Sequence, residues 1–456
     1  MKLKPNQPEE CFSGHNHTRL EGAAVSCLRV RPGDPKRFSK RDFEIAMAVM
    51  GRLPAGAPLP IVVNENGEIL VGHLFVEAAR RLGKEWVTVT RHAGMSEVEA
   101  KKYTIAIDQL LSKGSLDPID LSAWIREFEV GIENFDHLSI GFDNGELDRI
   151  LGIPNKIAAM GSDADVVPPV QPRAVSRPGM IWLLGRHRIM CGSATSMEDV
   201  AQLMAGHKAA MAITDPPFGC KVDGFVSKKG KHADFVEGAG DKSPHELEAF
   251  FSAFAHNLLC SVSKGALVYI FIDWRSLHIL LRACEPVFGA MVQMCCWTKD
   301  RAGMGSFYRS QHELVLVFRA PGANHHNNIK LGINGRNRSN VWAYPSAASS
   351  RSGREGDMLA KHPTPKSVEM IADAILDCTE HGDRIIDCFL GSGTALIAAE
   401  RTGRICHGME LDPQYVDVAI RRWQDWTGLA AVDAERGRTF DDFAAERQME
   451  EGQDDA

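Results

Sequence analysis

Short, nearly unbroken apolar runs recur along the second half of this chain. Ala209 to Ile213, Ala266 to Ile272, Val292 to Thr298, Glu313 to Phe318, Ile385 to Asp387 and Ile405 to Met409 have the length and composition of strands buried on both faces. Between them, Ser243 to Val262 and Ala395 to Glu400 carry apolar residues at helical spacing. Strands alternating with helices predict an α/β architecture around a largely parallel sheet. Trp182 to Gly192 reads as a β-hairpin that opens this region. Upstream the pattern is shorter. Ala24 to Val30 predicts a strand, Lys40 to Met50 a helix and Pro60 to Val63 a second strand, and Asn64-Glu65-Asn66-Gly67 turns the chain into Ile69-Leu70-Val71. A glycine turn at Gly72, a helix from His73 closed by Gly83, and a strand from Trp86 to Thr90 complete a small α+β domain.

The remaining segments are organised around these two blocks. Residues 1–18 are polar and expected to be disordered, and 19–114 form the small domain. Residues 115–177 are a connector, with helical spacing at Leu121 to Phe128 and Gly145 to Leu151 and a Pro-rich linker from Ile157 to Pro178. Residues 178–430 are the large α/β domain, and 431–456 an acidic tail. Gly219 to Lys242 reads as a loop, and Gly322 to Gly356 has no core pattern.

Two places carry chemistry. Thr214-Asp215-Pro216-Pro217-Phe218 ends the first strand abruptly, because each proline fixes φ, lacks an N–H and keeps its predecessor extended. A carboxylate, backbone carbonyls and an aromatic face at one stiff strand end suit a flat ring bearing an exocyclic amino group. The second place is Ile385-Ile386-Asp387-Cys388-Phe389-Leu390-Gly391-Ser392-Gly393-Thr394, a strand, a glycine turn and a helix expected to be capped by Thr394. The following strand delivers Glu410, 17 positions after Gly393, near the spacing of about 20 at which a carboxylate meets ribose hydroxyls in βαβ units. Leu396 replaces the third glycine of the dinucleotide fingerprint, which fits a nucleoside cofactor without a diphosphate, such as S-adenosylmethionine.

Taken together, Asp215-Pro216-Pro217-Phe218, the Asp387 to Thr394 loop and Glu410-Leu411-Asp412-Pro413-Gln414-Tyr415 resemble the amino-group DNA methyltransferases. Their order, catalytic motif first and cofactor loop last, is similar to the permuted β group, and the resemblance covers about residues 178 to 426. It implies a Rossmann-like methyltransferase sheet, S-adenosylmethionine as cofactor and double-stranded DNA as partner. It also implies roles. Asp215, Pro216, Pro217 and Phe218 are the catalytic set; Asp387, Phe389, Gly391, Ser392, Gly393, Thr394 and Glu410 hold the cofactor, with Thr364 and Lys366 of the His362-Pro363-Thr364-Pro365-Lys366 segment at its methionine end. Lys299, Arg301, Tyr308, Arg309 and His312 fall in the target-strand region. Asp before Pro-Pro goes more often with N6 of adenine in that family, with N4 of cytosine as the alternative. Ser193 departs from the acid usual after the hairpin's glycine, and Asp273-Trp274 either line the adenine or cap a strand.

The small domain looks like the N-terminal domain of ParB-type proteins, a fold shared with sulfiredoxin. Leu74-Phe75 stand where that family carries a phosphate-facing Arg, so nucleotide hydrolysis or nuclease activity is not expected, and His73 is either a phosphate contact or a cap or surface residue. A DNA-binding regulator with an inactive methyltransferase half is the competing reading.

Composition changes the picture in one respect. The net charge of −7 would argue against nucleic acid, but the segment Ala431 to Ala456 carries nine Asp/Glu against three Arg, whereas Lys299 to Lys366 carries eleven Lys/Arg against four Asp/Glu. The basic stretch is the footprint expected where phosphates dock. Eleven cysteines without a CxxC pair, and an isolated His325-His326, predict no metal site and a reduced, cytoplasmic setting. No apolar run spans a bilayer, so no membrane partner is expected. Residue pattern leaves the oligomeric state open, a homodimer included.

Overall fold

The structure is a computed structural model. It describes residues 18–32, 34–53, 57–111, 121, 124–125, 140–142, 146–147, 165–218, 242–303, 307–329, 337–345 and 366–454. Two compact units divide the chain, Met1–Leu151 and Gly152–Ala456.

In the first unit, β1 (Thr18–Ala24), β2 (Val62–Asn64), β3 (Ile69–Val71) and β4 (Trp86–His92) form a sheet in the order β1-β4-β2-β3, with α1 (Lys40–Arg52), α2 (His73–Arg81) and α3 (Glu97–Leu111). The predicted hairpin is present. Asn64 Oδ1 accepts from the Asn66 and Glu68 amides, and Gly67 takes φ 74 where a Cβ would lie 2.8 Å from the Cys27 carbonyl. The first strand lies upstream of the expected Ala24 to Val30. It pairs antiparallel with β4 as far as Ala24↔Trp86, after which Val25–Cys27 make one 3-10 turn and bury Val25 and Leu28. Pairing with β4 decided the position, since the exposed Leu20 gave no alternation to read. Helix α3 was not foreseen, although Ser96 and Glu99 form the reciprocal cap that announces it.

The second unit has a ten-stranded sheet built from β5 (Ile181–Leu184), β6 (His187–Cys191), β7 (Ala209–Thr214), β8 (Val262–Ile272), β9 (Gln293–Thr298), β10 (His312–Arg319), β11 (Val341–Ala343), β12 (Arg384–Asp387), β13 (Ile405–Glu410) and β14 (Val432–Asp433). Their order is β11-β9-β10-β8-β7-β12-β13-β6-β5-β14. The middle five, β8, β7, β12, β13 and β6, run parallel. Helices α4 (Met197–Met204), α5 (Pro244–Ser261), α6 (Leu277–Phe288), α7 (Val368–Cys378), α8 (Thr394–Thr402), α9 (Pro413–Thr427) and α10 (Phe440–Asp454) connect and flank them.

From β7 the chain passes through α5 to β8 on one side, and from β12 through α8 to β13 on the other. Between β7 and β12 the strand order therefore reverses, which is where open α/β sheets place their ligands, beyond the carboxyl ends of the strands.

Helix α5 begins at a Ser243 cap with Pro244 in the first turn and Glu246 closing the capping box. Its buried face supplies Phe250, Phe251, Phe254 and Leu258 to the main core. Strand β8 follows without a loop and is longer than its apolar run, because Val262 pairs with Ala209 and the Gly265 amide donates to the Ala320 carbonyl. Strand β11 was missed; its signal is the single buried Trp342, and main-chain pairing with β9 supplies the rest. The acidic C-terminal segment starts as part of the sheet, with β14 on β5 and with Phe440 and Phe443 edge-on to Trp182. The predicted connector helices and the loop after Phe218 fall mostly outside the described residues.

Phe254 is fully buried and meets Phe250, Phe251 and Phe389 edge to face, 5.3 Å from Phe389. Phe254→Ala should cost about 3–5 kcal/mol, read by chemical denaturation, and should loosen the loop that carries Phe389.

Candidate active site

Asp215 follows β7 because four buried residues, Met211 to Thr214, hold that strand in the sheet centre. The Thr214 hydroxyl donates to Asp387 Oδ1 at 2.9 Å, tying the end of β7 to the end of its neighbour β12. Asp387 Oδ1 also accepts from the Phe389 amide at 3.0 Å. Burial pushes the Asp387 carboxyl up to about 7, against these two hydrogen bonds and with Asp215 and Glu410 adding to the rise.

The glycine loop has one closed and one open side. Gly391 (φ 52) donates its amide to Glu410 Oε2 at 2.8 Å, and Asp412 donates to Glu410 Oε1 at 3.0 Å. A Cβ on Gly391 would meet nothing within 4 Å, whereas one on Gly393 (φ 84) would lie 3.0 Å from the Ala419 Cβ of α9. Gly393 thus serves close packing, and Gly391 leaves room for a ligand. Gly393, not Thr394, is the N-cap of α8, and it makes no side-chain cap. Ser392 and Thr394 also differ from expectation. Both are buried, and Arg422 of α9 donates to the Ser392 carbonyl at 3.0 Å and to the Thr394 hydroxyl at 3.3 Å. Their side chains brace the loop from behind. The Phe389 ring joins the aromatic cluster of α5, and Thr364 lies outside the described residues.

Beside Asp215 stands an alternating row of charges. Lys366 Nζ is 2.6 Å from Asp215 Oδ2 and 3.0 Å from Glu313 Oε2, and Lys299 pairs with Glu313 Oε1. The Lys366 ammonium also sits 5.1 Å from the Phe271 ring centre. Burial pushes the Asp215 carboxyl up while Lys366 pulls it down. For Glu313, burial is overcome by the two lysines, and its carboxyl falls to about 2. Lys366 therefore touches Asp215, and Lys299 is held inward on Glu313 instead of facing phosphate. Sequence reasoning named Lys366 and Lys299 but gave Glu313 and Thr214 no role; an acid opening an otherwise apolar strand was the available signal.

The rest of the target-strand set lies on the segment between β9 and β10 and at His312, the first residue of β10. Leu314 pairs with Ile272, so this segment emerges at the same sheet edge as Asp215. Arg301, Tyr308, Arg309 and His312 are exposed there, with the Tyr308 ring 4.4 Å from the exposed Phe307 ring. Arg309 donates to the Ala302 and Gly303 carbonyls and shapes the turn. The Ser276 hydroxyl holds the Phe218 carbonyl at 2.9 Å. Of the two alternatives for Asp273, capping is observed, with Oδ1 accepting from the Arg275 and Ser276 amides. In the first unit, His73 is buried and 3.0 Å from Asp34 Oδ2, so it is neither a surface residue nor an open phosphate contact. Leu74 and Phe75 pack on that unit's core.

Residues 209–421 match the N6_N4_Mtase family, described as DNA methylase. Over this segment the large unit is similar to the DNA methyltransferases of this family. S-adenosylmethionine is its cofactor. Similar proteins include the type II methyltransferase M2.DpnII of Streptococcus pneumoniae, 25% identical over 225 residues, 46% of this chain and 81% of that one. The type II methyltransferase M.Cfr9I of Citrobacter freundii is 37% identical over 89 residues, 20% of this chain and 27% of its own length. Among solved structures, an M1.HpyAVI–SAM complex is 22% identical with a TM-score of 0.38, over 51% of this chain and 97% of that one. Among the described residues no three His, Cys, Asp or Glu side chains gather as a metal site, and no helix is long and apolar enough to cross a membrane.

Because Asp387 keeps its proton to about pH 7 in the folded protein and loses it near the ordinary carboxylate value when unfolded, folding takes up a proton between these limits. Stability should therefore fall as pH rises through that window, by up to about 1.4 kcal/mol per pH unit from this group. Asp387→Asn keeps an Oδ1 acceptor for Thr214 and Phe389, and its unfolding free energy should lose that slope. Equal slopes in denaturation series of the two proteins would contradict the assignment.

Proposed function

We propose that the chain transfers a methyl group to the N6 amino group of adenine in double-stranded DNA. The observation that supports this most is the Thr214–Asp387 hydrogen bond, which sets the Asp-Pro-Pro-Phe end and the glycine loop side by side at the reversal of strand order. In this reading Gly391, with its open side, and Glu410, with its two-oxygen carboxylate at the end of β13, cradle the nucleoside portion of the cofactor, which when bound supplies an electrophilic methyl on a sulfonium.

The chain's own residues carry the rest. An exocyclic amino nitrogen is a poor nucleophile because its lone pair is delocalised into the ring. Asp215 accepts one amino hydrogen and the Pro216 carbonyl the other, which favours a pyramidal nitrogen and holds it in line with the methyl. Pro217 stiffens this geometry, and Phe218 offers the ring a stacking face. Positioning and electrostatics supply the rate, with no covalent intermediate on the protein. The amino group is inaccessible in a duplex, so the base is flipped at a cost of a few kcal/mol, of which stacking on Phe218 returns about 1–3 kcal/mol. The exposed Arg301, Tyr308, Arg309 and His312 meet the DNA at the same edge, and binding weakens as salt rises. The type II names of M2.DpnII and M.Cfr9I support a restriction-modification setting in the cytoplasm. The ParB-like first unit assists DNA engagement.

Asp215→Ala should lower transfer of labelled methyl to DNA by about 100-fold or more with cofactor binding nearly unchanged; near-normal turnover would remove the catalytic assignment. Nucleoside analysis of the treated DNA identifies the product, and N4-methylcytosine in place of N6-methyladenine would overturn the choice of base.

A further inference from the structure

The Asp215 carboxylate has two oxygens in unlike surroundings. Oδ2 is fixed on the Lys366 ammonium at 2.6 Å, while Oδ1 is buried and has no hydrogen-bond partner among the described residues. A buried acceptor without a partner is costly unless a ligand completes it. Lys366 is itself fixed from the other side, by Glu313 at 3.0 Å, and Glu313 by Lys299. The ammonium is thus engaged by a carboxylate on either side.

We propose that Lys366 is the positioning residue of Asp215, clamping Oδ2 so that Oδ1 is the atom that accepts the amino hydrogen of the target base. This rests on the amino-methyltransferase reading above and differs from the role the family resemblance implies, contact with the methionine end of the cofactor. The clamp does two things. It fixes the rotation of the carboxylate, and it pulls Asp215 toward the ionised form against a burial that raises its pKa overall. The titratable groups facing Asp215 are Lys366 before α7, Glu313 on β10, Lys299 after β9 and Asp387 at the end of β12. Of these, Lys366 exerts the largest pull toward the ionised form and Glu313 the largest electrostatic push against it.

The test uses the full chain, unmethylated genomic DNA and S-adenosylmethionine, with single-turnover rate measured against pH and cofactor affinity by calorimetry. Lys366→Met should leave cofactor affinity near that of the parent, slow methyl transfer, and move the acid limb of the rate profile up by about one pH unit or more. Lys366→Arg, which keeps a cation on Oδ2, should restore much of the limb. Should the Met variant fold poorly, Glu313→Gln is nearly isosteric and should move the limb the other way, to lower pH, because a negative charge beside Asp215 is removed. Loss of cofactor affinity in Lys366→Met with an unmoved limb, or an unmoved limb in Glu313→Gln, would overturn the clamp. Failure of the underlying reading looks different: Asp215→Ala would then methylate DNA as well as the parent.

Discussion

One short contact ties the Asp-Pro-Pro-Phe strand end to the glycine loop. Thr214 and Asp387 are 173 positions apart in the chain and 2.9 Å apart in space. Everything the site needs follows from their adjacency: Asp215 leaves one strand, the glycine loop leaves the next, and Glu410 closes the second βα unit. A hydrogen bond to a buried carboxyl is also a demanding tether, since loss of either partner leaves the other unsatisfied in a dry interior. The prolines after Asp215 and the packing of Gly393 on Ala419 then fix the two loops that the tether aligns.

Buried charge is handled differently on the two sides. Among the described residues no cation acts on Asp387, and its proton resolves the cost of burial. Asp215 has one, and its neighbours form a row in which each acid meets a lysine. Such rows stabilise little compared with apolar packing. Their value is directional, since a fixed ammonium leaves one oxygen of a carboxylate turned to a chosen place. The Phe271 and Trp297 rings flank the Lys366 ammonium at 5.1 and 5.7 Å.

Much of this was written in local sequence. The parallel strands announced themselves as apolar runs, Ser243-Pro244 and Glu246 marked a helix start, and the two prolines marked the exit of β7. The candidate roles of Asp215, Gly391 and Glu410 came from residue type and spacing. What local pattern could not carry was contact between distant segments. The pairing of Lys366 with Asp215 and Glu313, the inward turn of Lys299, and the use of Ser392 and Thr394 as supports for Arg422 all depend on which segments the sheet brings together. Strand β11 failed for a related reason: its residues are held by main-chain bonds to β9, and main-chain bonds leave little trace in side-chain composition.

The order of strands also bears on how the chain is made. Strand β7 has β8 on one side soon after it is synthesised, but its other edge waits for β12, and β6 waits for β13. At about 5–20 residues per second, the interval of 173 residues leaves an apolar strand edge bare on the ribosome for roughly nine to thirty-five seconds. A nascent chain of this topology is therefore a client for chaperones, and any truncation upstream of Arg384 releases a half-sheet prone to aggregate.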